Sequence, residues 1–412
     1  MEKSRILKTS RTTLFLLSFC LPLLFASCAA QSSVGASSSP TTAASQTTSP
    51  TLCQNWRIVN GPTPGNYYNS LNGVAAVSTH AAWAVGSYTN SSGPQHTLIE
   101  YWNGSTWLVV KSPNPSSIET AQLSGVTAIS SSNVWAVGMF KDQQNAAHAL
   151  IEHWNGSAWS IITSPTPNGS DDQLYGVSVI SSSDVWAVGY YSNSQLEQQT
   201  LIEHWNGSAW SIVSSPTPNG TTQDQLFSIT AISASNIWAV GSSHGKQTSK
   251  TLIEHWNGTA WSIVSSPNTQ FAGNGLNSVT AISASNIWAV GEAYTQYGYP
   301  SQTLIEHWNG SAWSIVSSPN APGSQNNDLL GVTAISGNNI WAVGRWDAGS
   351  QNYRTLIEHW NGSAWGIVSS PNGVSNPSAL QAVAWVPTLT SIWAVGFHFN
   401  STLSEPLIER YC

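Results

Sequence analysis

Residues 200–216 read TLIEHWNGSAWSIVSSP, and close variants of this stretch recur along the chain. Its Trp-Asn-Gly element occurs six times, beginning at Trp102, Trp154, Trp205, Trp256, Trp308 and Trp360. The tetrapeptide Trp-Ala-Val-Gly occurs seven times, at spacings of 50 to 53 residues, beginning at Trp83, Trp135, Trp186, Trp238, Trp288, Trp341 and Trp393. Self-similarity at such a period is typical of repeat architectures, in which each repeat is one supersecondary unit.

The copy at residues 174–216 has the pattern of four short strands. Its apolar runs are rich in Val, Ile and Trp and are bounded by Ser, Asn, Gly and Pro, which is typical of strands and turns. The predicted strands are LYGVSVIS, VWAVGYY, TLIEHW and AWSIV, and Asn206-Gly207 predicts a two-residue hairpin turn between the last two. Four antiparallel strands every ~50 residues are typical of a propeller blade. We therefore predict an all-β chain, a seven-bladed β-propeller of four-stranded antiparallel blades.

The last copy of the repeat, PLIERYC at residues 406–412, has no fourth strand after it. The missing pattern lies at residues 53–64, CQNWRIVNGPTP, which match residues 207–218 when Trp56 is aligned with Trp210. We therefore predict that this N-terminal strand completes the last blade and closes the ring.

The same alignment places Cys53 and Cys412 where a hairpin turn would join the two strands. A disulfide between them can replace that turn. In the chain-entropy model a cross-link over so long a loop contributes at most about 5–6 kcal/mol. Cys20 and Cys28 precede the repeats, so the propeller would have no other thiol.

Over residues 53–412 the repeats resemble kelch repeats. In the second copy NVWAVG (133–138) is an apolar strand that ends in glycine, and EHWNGSAW (152–159) contains an aromatic residue, a turn and a later Trp, as in the kelch pattern. One Gly stands where kelch repeats usually have two, and Asn stands in place of Asp. The resemblance implies a kelch-like seven-bladed propeller of the bacterial surface or secreted lipoprotein type, and it implies no particular activity.

Residues 1–28 have the pattern of a secretory signal: four basic residues, a short apolar run from Leu14 to Ala26, and small residues after it. The end of the run, Phe25-Ala26-Ser27-Cys28, resembles a lipobox, which predicts lipidation at Cys28; conventional cleavage near Ala29 remains the alternative. Residues 29–52 are almost entirely Ser, Thr, Ala, Gln and Pro, which predicts a disordered tether. We expect an extracytoplasmic protein that meets the membrane only through its lipid, or is otherwise secreted.

The charge of the chain argues against nucleic acid as a partner. Without residues 1–28 the chain has eight basic and 18 acidic residues, a net charge of −10. The basic residues are scattered and form no stripe for a phosphate backbone.

The Trp residues and the recurrent Glu-His pair have structural interpretations. All Trp except Trp346 and Trp385 belong to the repeat, and we expect them to pack one blade on the next. The Glu and His of a pair, such as Glu203 and His204, point to opposite faces of their strand and cannot chelate a metal together. We expect each Glu to meet a partner on the neighbouring blade, with that blade's His as the candidate for an ion pair. No cofactor or metal is expected.

One face of the predicted propeller carries the variable loops, between strands two and three and between blades. Repeat proteins usually place such insertions on their binding face. The candidate ligand-binding residues there are Tyr88, Phe140, Tyr190, Tyr191, Tyr294, Tyr297, Tyr299, Arg345, Trp346, Tyr353, Phe397 and His398. Aromatic rings with polar groups suit sugar rings or a protein surface. The alternative is that these side chains only fill long loops.

No nucleophile, base and orienting group stand together at non-repeated positions, so we predict a non-catalytic, monomeric propeller that binds a glycan or an envelope or extracellular protein. The alternative is a secreted carbohydrate-active hydrolase or lyase with its site in the central mouth of the same face. That alternative needs acidic or His residues that converge, and Glu197, Glu292 and Asp347 are the loop candidates. A purely structural spacer is a third possibility.

Overall fold

The structure, a computed structural model, describes residues 55–412 except 92, 116–119, 168–170, 296–299, 350–351, 372–376, 388–390 and 401–402. The predicted signal segment, the predicted tether and Cys53 lie outside the described residues. Every regular element within the described part of the chain is a β-strand. The prediction of an all-β chain is therefore confirmed.

The strands are β1 (Trp56–Ile58), β2 (Tyr68–Ser78), β3 (Ala81–Thr89), β4 (Gln95–Trp102), β5 (Trp107–Val109), β6 (Thr120–Ser130), β7 (Asn133–Lys141), β8 (Ala147–Trp154), β9 (Trp159–Ile162), β10 (Asp172–Ser181), β11 (Asp184–Ser192), β12 (Gln198–Trp205), β13 (Trp210–Ile212), β14 (Gln223–Ser233), β15 (Asn236–His244), β16 (Ser249–Trp256), β17 (Trp261–Ile263), β18 (Gly273–Ser283), β19 (Asn286–Tyr294), β20 (Ser301–Trp308), β21 (Trp313–Val316), β22 (Asn327–Ser336), β23 (Asn339–Asp347), β24 (Tyr353–Trp360), β25 (Trp365–Ile367), β26 (Ser378–Trp385), β27 (Ile392–Phe399) and β28 (Ser404–Tyr411).

Within each repeat the strands pair antiparallel in chain order, as β10–β11–β12–β13 do in the third copy. The loop between β12 and β13 has four residues rather than the two predicted, because the side chain of Asn206 closes it. Asn206 Oδ1 accepts hydrogen bonds of 3.0 Å from the backbone N–H groups of both Ser208 and Ala209. Only Gly207 in this loop has a positive φ, +96°. An Asn side chain that imitates a backbone turn explains why Asn-Gly recurs.

Repeated four-stranded antiparallel sheets are the basic unit of the fold. Strands β18–β21 form one sheet, β22–β25 form another, and β26, β27 and β28 are joined by β1 in a third. The remaining strands form two eight-stranded sheets, since one parallel bridge joins Gln95 to Thr120 and another joins Gln198 to Gln223. Each of these bridges links the third strand of one repeat to the first strand of the next.

The first strands of successive repeats lie side by side. Strand β2 contacts β6, β6 contacts β10, and the series continues through β14, β18 and β22 to β26, which in turn contacts β2. At the outer edge of the last repeat, β1 pairs with β28 in a register that sets Trp56 opposite Tyr411. Strands from the two ends of the described chain therefore share one sheet.

The hydrophobic core lies between repeats. Trp135 of β7 contacts Trp205 and Trp210 of the next repeat, with ring centroids 5.1 and 5.4 Å apart. Around them Val137 and Ile151 from one repeat pack against Leu174 and other apolar side chains from the next. The expectation that the repeated Trp residues pack one repeat on the next is confirmed, and each buries roughly 150–250 Å².

The repeated Glu is buried between repeats without a charged partner. Glu254 is fully buried, and its Oε2 accepts a hydrogen bond of 2.6 Å from Ser215 Oγ of the preceding repeat. Burial raises the pKa of Glu254 to about 8, so the carboxyl is protonated at neutral pH. The partner does lie on the neighbouring repeat, but the expected ion pair with its His is wrong.

The repeated His belongs to its own repeat. His255 stacks on Trp238 with ring centroids 4.2 Å apart. Asn236 Oδ1 accepts one hydrogen bond of 2.9 Å from His255 Nε2 and another of 2.8 Å from Trp238 Nε1. Burial lowers the pKa of His255, which favours the neutral ring.

Candidate functional site

A β-bulge interrupts the first strand of each repeat between a Leu and a small residue. In β10 the register against β11 shifts between Leu174 and Gly176, so Tyr175 has no partner in the ladder. Bulges re-aim the extra side chain, and they often lie beside functional sites. The corresponding three-residue segments are Leu71-Asn72-Gly73, Leu123-Ser124-Gly125, Leu174-Tyr175-Gly176, Leu226-Phe227-Ser228, Leu276-Asn277-Ser278, Leu329-Leu330-Gly331 and Leu380-Gln381-Ala382.

The third residue of each segment is small because neighbouring first strands approach closely there. A Cβ on Gly125 would lie 2.5 Å from the backbone oxygen of Tyr175 in the next repeat. Where the small residue is Ser278, its hydroxyl accepts a hydrogen bond of 3.2 Å from Val332 N of the next strand. The first residue, always Leu, is buried in the core. The middle residue alone is free to differ from one repeat to the next.

The middle residues line a shared cavity, which we call the mouth. It has a volume of about 320 Å³ and is lined by Asn72, Gln122, Ser124, Tyr175, Phe227, Asn277, Leu330 and Gln381. A deeper cavity of about 200 Å³ shares all of these residues except Gln122 and continues past aliphatic side chains such as Val74, Val177 and Val332. The residues that line the mouth are half-buried and uncharged.

Aromatic rings and amides occupy different parts of the mouth. Tyr175 and Phe227, from adjacent repeats, make an edge-on contact with centroids 5.3 Å apart. Asn72 Nδ2 donates a hydrogen bond of 2.9 Å to Leu123 O, and Asn277 Nδ2 donates one of 2.9 Å to Leu329 O. These bonds fix the amide planes against the neighbouring strand.

Most of the candidate residues predicted from the loops lie farther out and contact partners in their own repeat. Tyr88 lies 5.4 Å from His96 and Phe140 lies 5.1 Å from His148, measured between ring centroids. The Tyr191 hydroxyl donates a hydrogen bond of 2.7 Å to Gln199 Oε1. In the last repeat, His398 Nε2 lies 3.5 Å from Glu405 Oε2 and Phe397 contacts Phe399. These side chains form separate half-buried contacts rather than one continuous patch.

Three other candidates have distinct surroundings. Tyr190 contacts Tyr175 with centroids 6.1 Å apart, which makes it the predicted residue that reaches the mouth among those described. Tyr294 lines a separate cavity of about 290 Å³ with His244. Trp346 packs against the core between the fifth and sixth repeats. The remaining two, Tyr297 and Tyr299, lie outside the described residues.

Arg345 belongs to a charged cluster between the fifth and sixth repeats. Its Nε lies 3.0 Å from Asp328 Oδ2, and its guanidinium lies 4.7 Å from the ring centroid of Tyr353. Ser301 Oγ donates a hydrogen bond of 2.8 Å to Asp328 Oδ1. Burial, followed by the hydrogen bond and charge of Asp328, raises the pKa of Glu292. The cluster therefore sets one guanidinium against two carboxyl groups.

The sequence-based reasoning named a central mouth as the site of the enzymatic alternative, but it missed the residues that line the mouth and it missed Asp328. The signal for the mouth was present, since a variable residue lies between an invariant Leu and a small residue in every copy. Glu292 was named as a candidate, but its partner is Asp328 and not Glu197 or Asp347, because strands β19 and β22 of adjacent repeats bring these two side chains together.

Within the described ranges, no group of three or more His, Cys, Asp or Glu side chains is arranged to hold a metal ion. The part of the chain that the structure describes contains no helix with the length and apolarity needed to cross a bilayer.

Comparison with known proteins identifies the fold. No protein-family model matches the chain, and no curated protein matches it. The solved structure of YCF48 bound to D1 peptide is 14% identical with a TM-score of 0.52, covering 86% of this chain and 96% of that one. An ulvan lyase of polysaccharide lyase family PL25, bound to a GlcA–Rha3S saccharide, is 12% identical with a TM-score of 0.51, covering 85% and 95%. A GH74 xyloglucanase from Xanthomonas campestris is 12% identical with a TM-score of 0.49, covering 85% and 55%.

The first two of these structures are β-propeller-type proteins. Their similarity over most of both chains, together with the repeated four-stranded sheets, defines this chain as a β-propeller-type repeat protein. Identities of 12–14% define the fold and not the activity.

Proposed function

We propose that this protein is a non-catalytic, extracytoplasmic propeller that binds a glycan or an envelope or extracellular protein at its mouth and variable loops. We further propose that it has seven kelch-like blades in a closed ring. The contact of β26 with β2 and the pairing of β1 with β28 support the closed ring. Seven first-strand segments around one cavity support the blade number.

The observation that carries the proposal is the concentration of sequence differences at one end of the repeats. The bulge residue changes from Asn to Ser, Tyr, Phe, Leu or Gln, and the ends of the second strands change as well. The loops at the other end keep their Asn-Gly sequence in six copies. Repeats that need only to pack would not require this asymmetry, whereas a binding face does.

The carboxyl cluster supports a binding role rather than a hydrolytic one. Glycosidases of the two-carboxylate kind hold their carboxyl groups roughly 5–9.5 Å apart, so that a sugar or water fits between them. Glu292 and Asp328 are hydrogen-bonded to each other, and Asp328 also binds Arg345 and Ser301. A pair this close leaves no room for a substrate atom.

The fold neighbours are compatible with both classes of partner. The YCF48 structure contains a peptide and the ulvan lyase structure contains a saccharide. Two propellers that are about equally similar in fold to this chain therefore accommodate a peptide in one case and a saccharide in the other.

Attachment through Cys28 remains part of the proposal. Residues 1–27 would be removed, and a lipid on Cys28, followed by the tether, would hold the propeller outside the cytoplasm. Incorporation of labelled fatty acid, lost in Cys28→Ala, is the expected result; an unlabelled mature chain that begins near Ala29 would show conventional cleavage instead.

Binding of the unlipidated Cys28→Ser chain to a panel of glycans and cell-wall polysaccharides, and to immobilised envelope proteins, tests the function. We expect saturable binding to one class of ligand and no cleavage of any polysaccharide. Changing Trp346, Tyr191 and Tyr294 to Ala tests the outer loops, and substitutions of the residues that line the mouth test the centre of the binding face. Release of sugar products would overturn the non-catalytic assignment, and absence of binding to every ligand would favour the structural spacer.

A further inference from the structure

We propose that the mouth binds one neutral sugar unit, with the Tyr175–Phe227 pair as its apolar wall and the surrounding amides as its polar wall. The proposal rests on the binding function above and names the substrate class and the site within the propeller. It arises from three observations: the bulges, the chemistry of the lining, and the absence of charged side chains from that lining.

The bulges hold the lining side chains in place. Each lining bulge residue lies between a fully buried Leu and a small residue that touches the next strand, so the backbone on both sides is constrained. The side chain therefore enters the mouth from a rigid strand and not from a flexible loop. Sites built on rigid strands are better preorganised for a ligand.

The chemistry of the lining matches an uncharged sugar. Tyr175 and Phe227 offer adjacent ring surfaces on one side. Asn72, Asn277 and Gln381 offer amides on other sides, and the amide planes of the two Asn residues are already fixed by bonds to neighbouring backbone. A sugar ring has an apolar C–H face and a rim of hydroxyl groups, which these two kinds of wall complement.

None of the side chains that line the mouth is charged, so the lining provides no counter-ion. Asp328 lies two residues before Leu330 of the lining, but it is paired with Arg345 at 3.0 Å. A uronate or a sulfated sugar would lose its hydration in the mouth without gaining a partner of opposite charge. The site therefore favours neutral sugars over acidic ones.

The size of the mouth limits the ligand. Small-molecule sites usually have volumes of about 300–1,000 Å³, and the mouth, at about 320 Å³, lies at the lower end. The adjoining cavity, whose lining includes Val74, Val177 and Val332, holds only about 200 Å³. One sugar unit fits this space, while the rest of a longer glycan would extend outward over the variable loops.

Saturation-transfer NMR and calorimetry on the full chain test the proposal. The probes are the methyl glycosides of glucose, galactose, mannose and N-acetylglucosamine, with methyl glucuronide as the charged comparison. We expect at least one neutral glycoside to bind and the glucuronide to bind at least tenfold more weakly. Tyr175→Ala and Phe227→Ala are each expected to weaken binding at least tenfold, while Tyr101→Phe, at the end of β4 beside the Asn103-Gly104 turn and away from the mouth and the variable loops, leaves it unchanged.

Leu330→Arg provides a second test that does not touch the aromatic pair. It places a long cation in the mouth and is expected to abolish binding while the melting temperature stays within a few degrees of the parent. If glycans bind but only substitutions in the outer loops weaken that binding, the assignment of the site to the mouth is wrong and the proposed function stands. If no neutral sugar binds, or only the glucuronide binds, the assignment of a neutral sugar is overturned. Capture of a protein partner that depends on Tyr175 would then show that the mouth binds a protein instead.

Discussion

At the scale of the residue, the repeated Glu shows how context reverses an expectation. A carboxylate next to a His in five-fold repetition would ordinarily be interpreted as ion pairing or metal binding. Fully buried, with one Ser hydroxyl as its partner, it is instead a neutral acid that joins two repeats. Its protonation links the stability of the fold to pH.

Glu254→Gln tests this protonation. The folded pKa of about 8 lies above the ordinary Glu value of 4.5, so the contribution of the neutral acid is fully present below pH 4.5 and is lost as pH rises through about 8. Urea unfolding between pH 5 and 9 measures the effect. We expect the free energy of unfolding of the wild type to fall relative to that of the variant as pH rises, by about 1.4 kcal/mol for each unit by which folding raises the pKa of Glu254. Ser215→Ala, which keeps the carboxyl, should keep the pH dependence. A pH-independent difference between wild type and Glu254→Gln would contradict the assignment.

Glu100 lacks the Ser hydrogen bond that the repeated Glu usually accepts. Gly61 stands where the third copy of the repeat has Ser215, and the oxygens of Glu100 accept no hydrogen bond from the described residues. A Cβ on Gly61 would lie 3.4 Å from Glu100 Oε2 and 2.8 Å from the flexible end of Ile408. Burial raises the pKa of Glu100 to about 8.

Gly61→Ser is therefore expected to stabilise the protein by about 1 kcal/mol, since the new hydroxyl can donate to Glu100 once Ile408 turns aside. Gly61→Ala is the matched control, because it shares the backbone effect and lacks the donor. Thermal unfolding measures both variants. Equal melting temperatures for the Ser and Ala variants would show that no such hydrogen bond forms.

At the scale of the element, the first strand of each repeat both packs against its neighbours and presents one side chain to the mouth. Its Leu enters the core, its small residue permits the next strand to approach, and its bulge residue enters the mouth. The local sequence predicts the strand but not the bulge, because a bulge depends on the partner strand against which the register shifts.

Gly125→Ala tests the close approach of first strands. The added Cβ would lie 2.5 Å from the backbone oxygen of Tyr175, and backbone cannot turn aside as a side chain can. We expect a loss of about 1–3 kcal/mol in the free energy of unfolding, measured in urea. Gly366→Ala, where no atom lies within 4 Å of the added Cβ, is the control and should cost little. Similar losses in the two variants would refute the close-packing explanation.

At the scale of the whole molecule, strands from the two ends of the described chain meet in one sheet. Trp56 of β1 contacts Trp341, with centroids 5.6 Å apart, as well as Tyr411 of β28. Strand β1 therefore takes the outer position that the fourth strand has in the other repeats, and it adds its Trp to the core between the sixth and last repeats.

The predicted Cys53–Cys412 disulfide would lock this arrangement. Reduction of the bond, or Cys412→Ser, is expected to lower the free energy of unfolding by about 2–5 kcal/mol. Thermal unfolding with and without reductant, together with mass mapping of the linked peptides, measures this. Two free thiols in the unfolded, unreduced mature chain would disprove the pairing.

The sequence by itself determined the strands, their order within a repeat and the Trp packing, because alternation and turn residues act over a few positions and recur in every copy. It did not determine the mouth, whose lining comes from Asn72 at one end and Gln381 at the other. Nor did it determine that Glu292 meets Asp328, or that Glu254 is protonated. These features arise only when distant strands are packed side by side, since burial and proximity between repeats are properties of the tertiary structure.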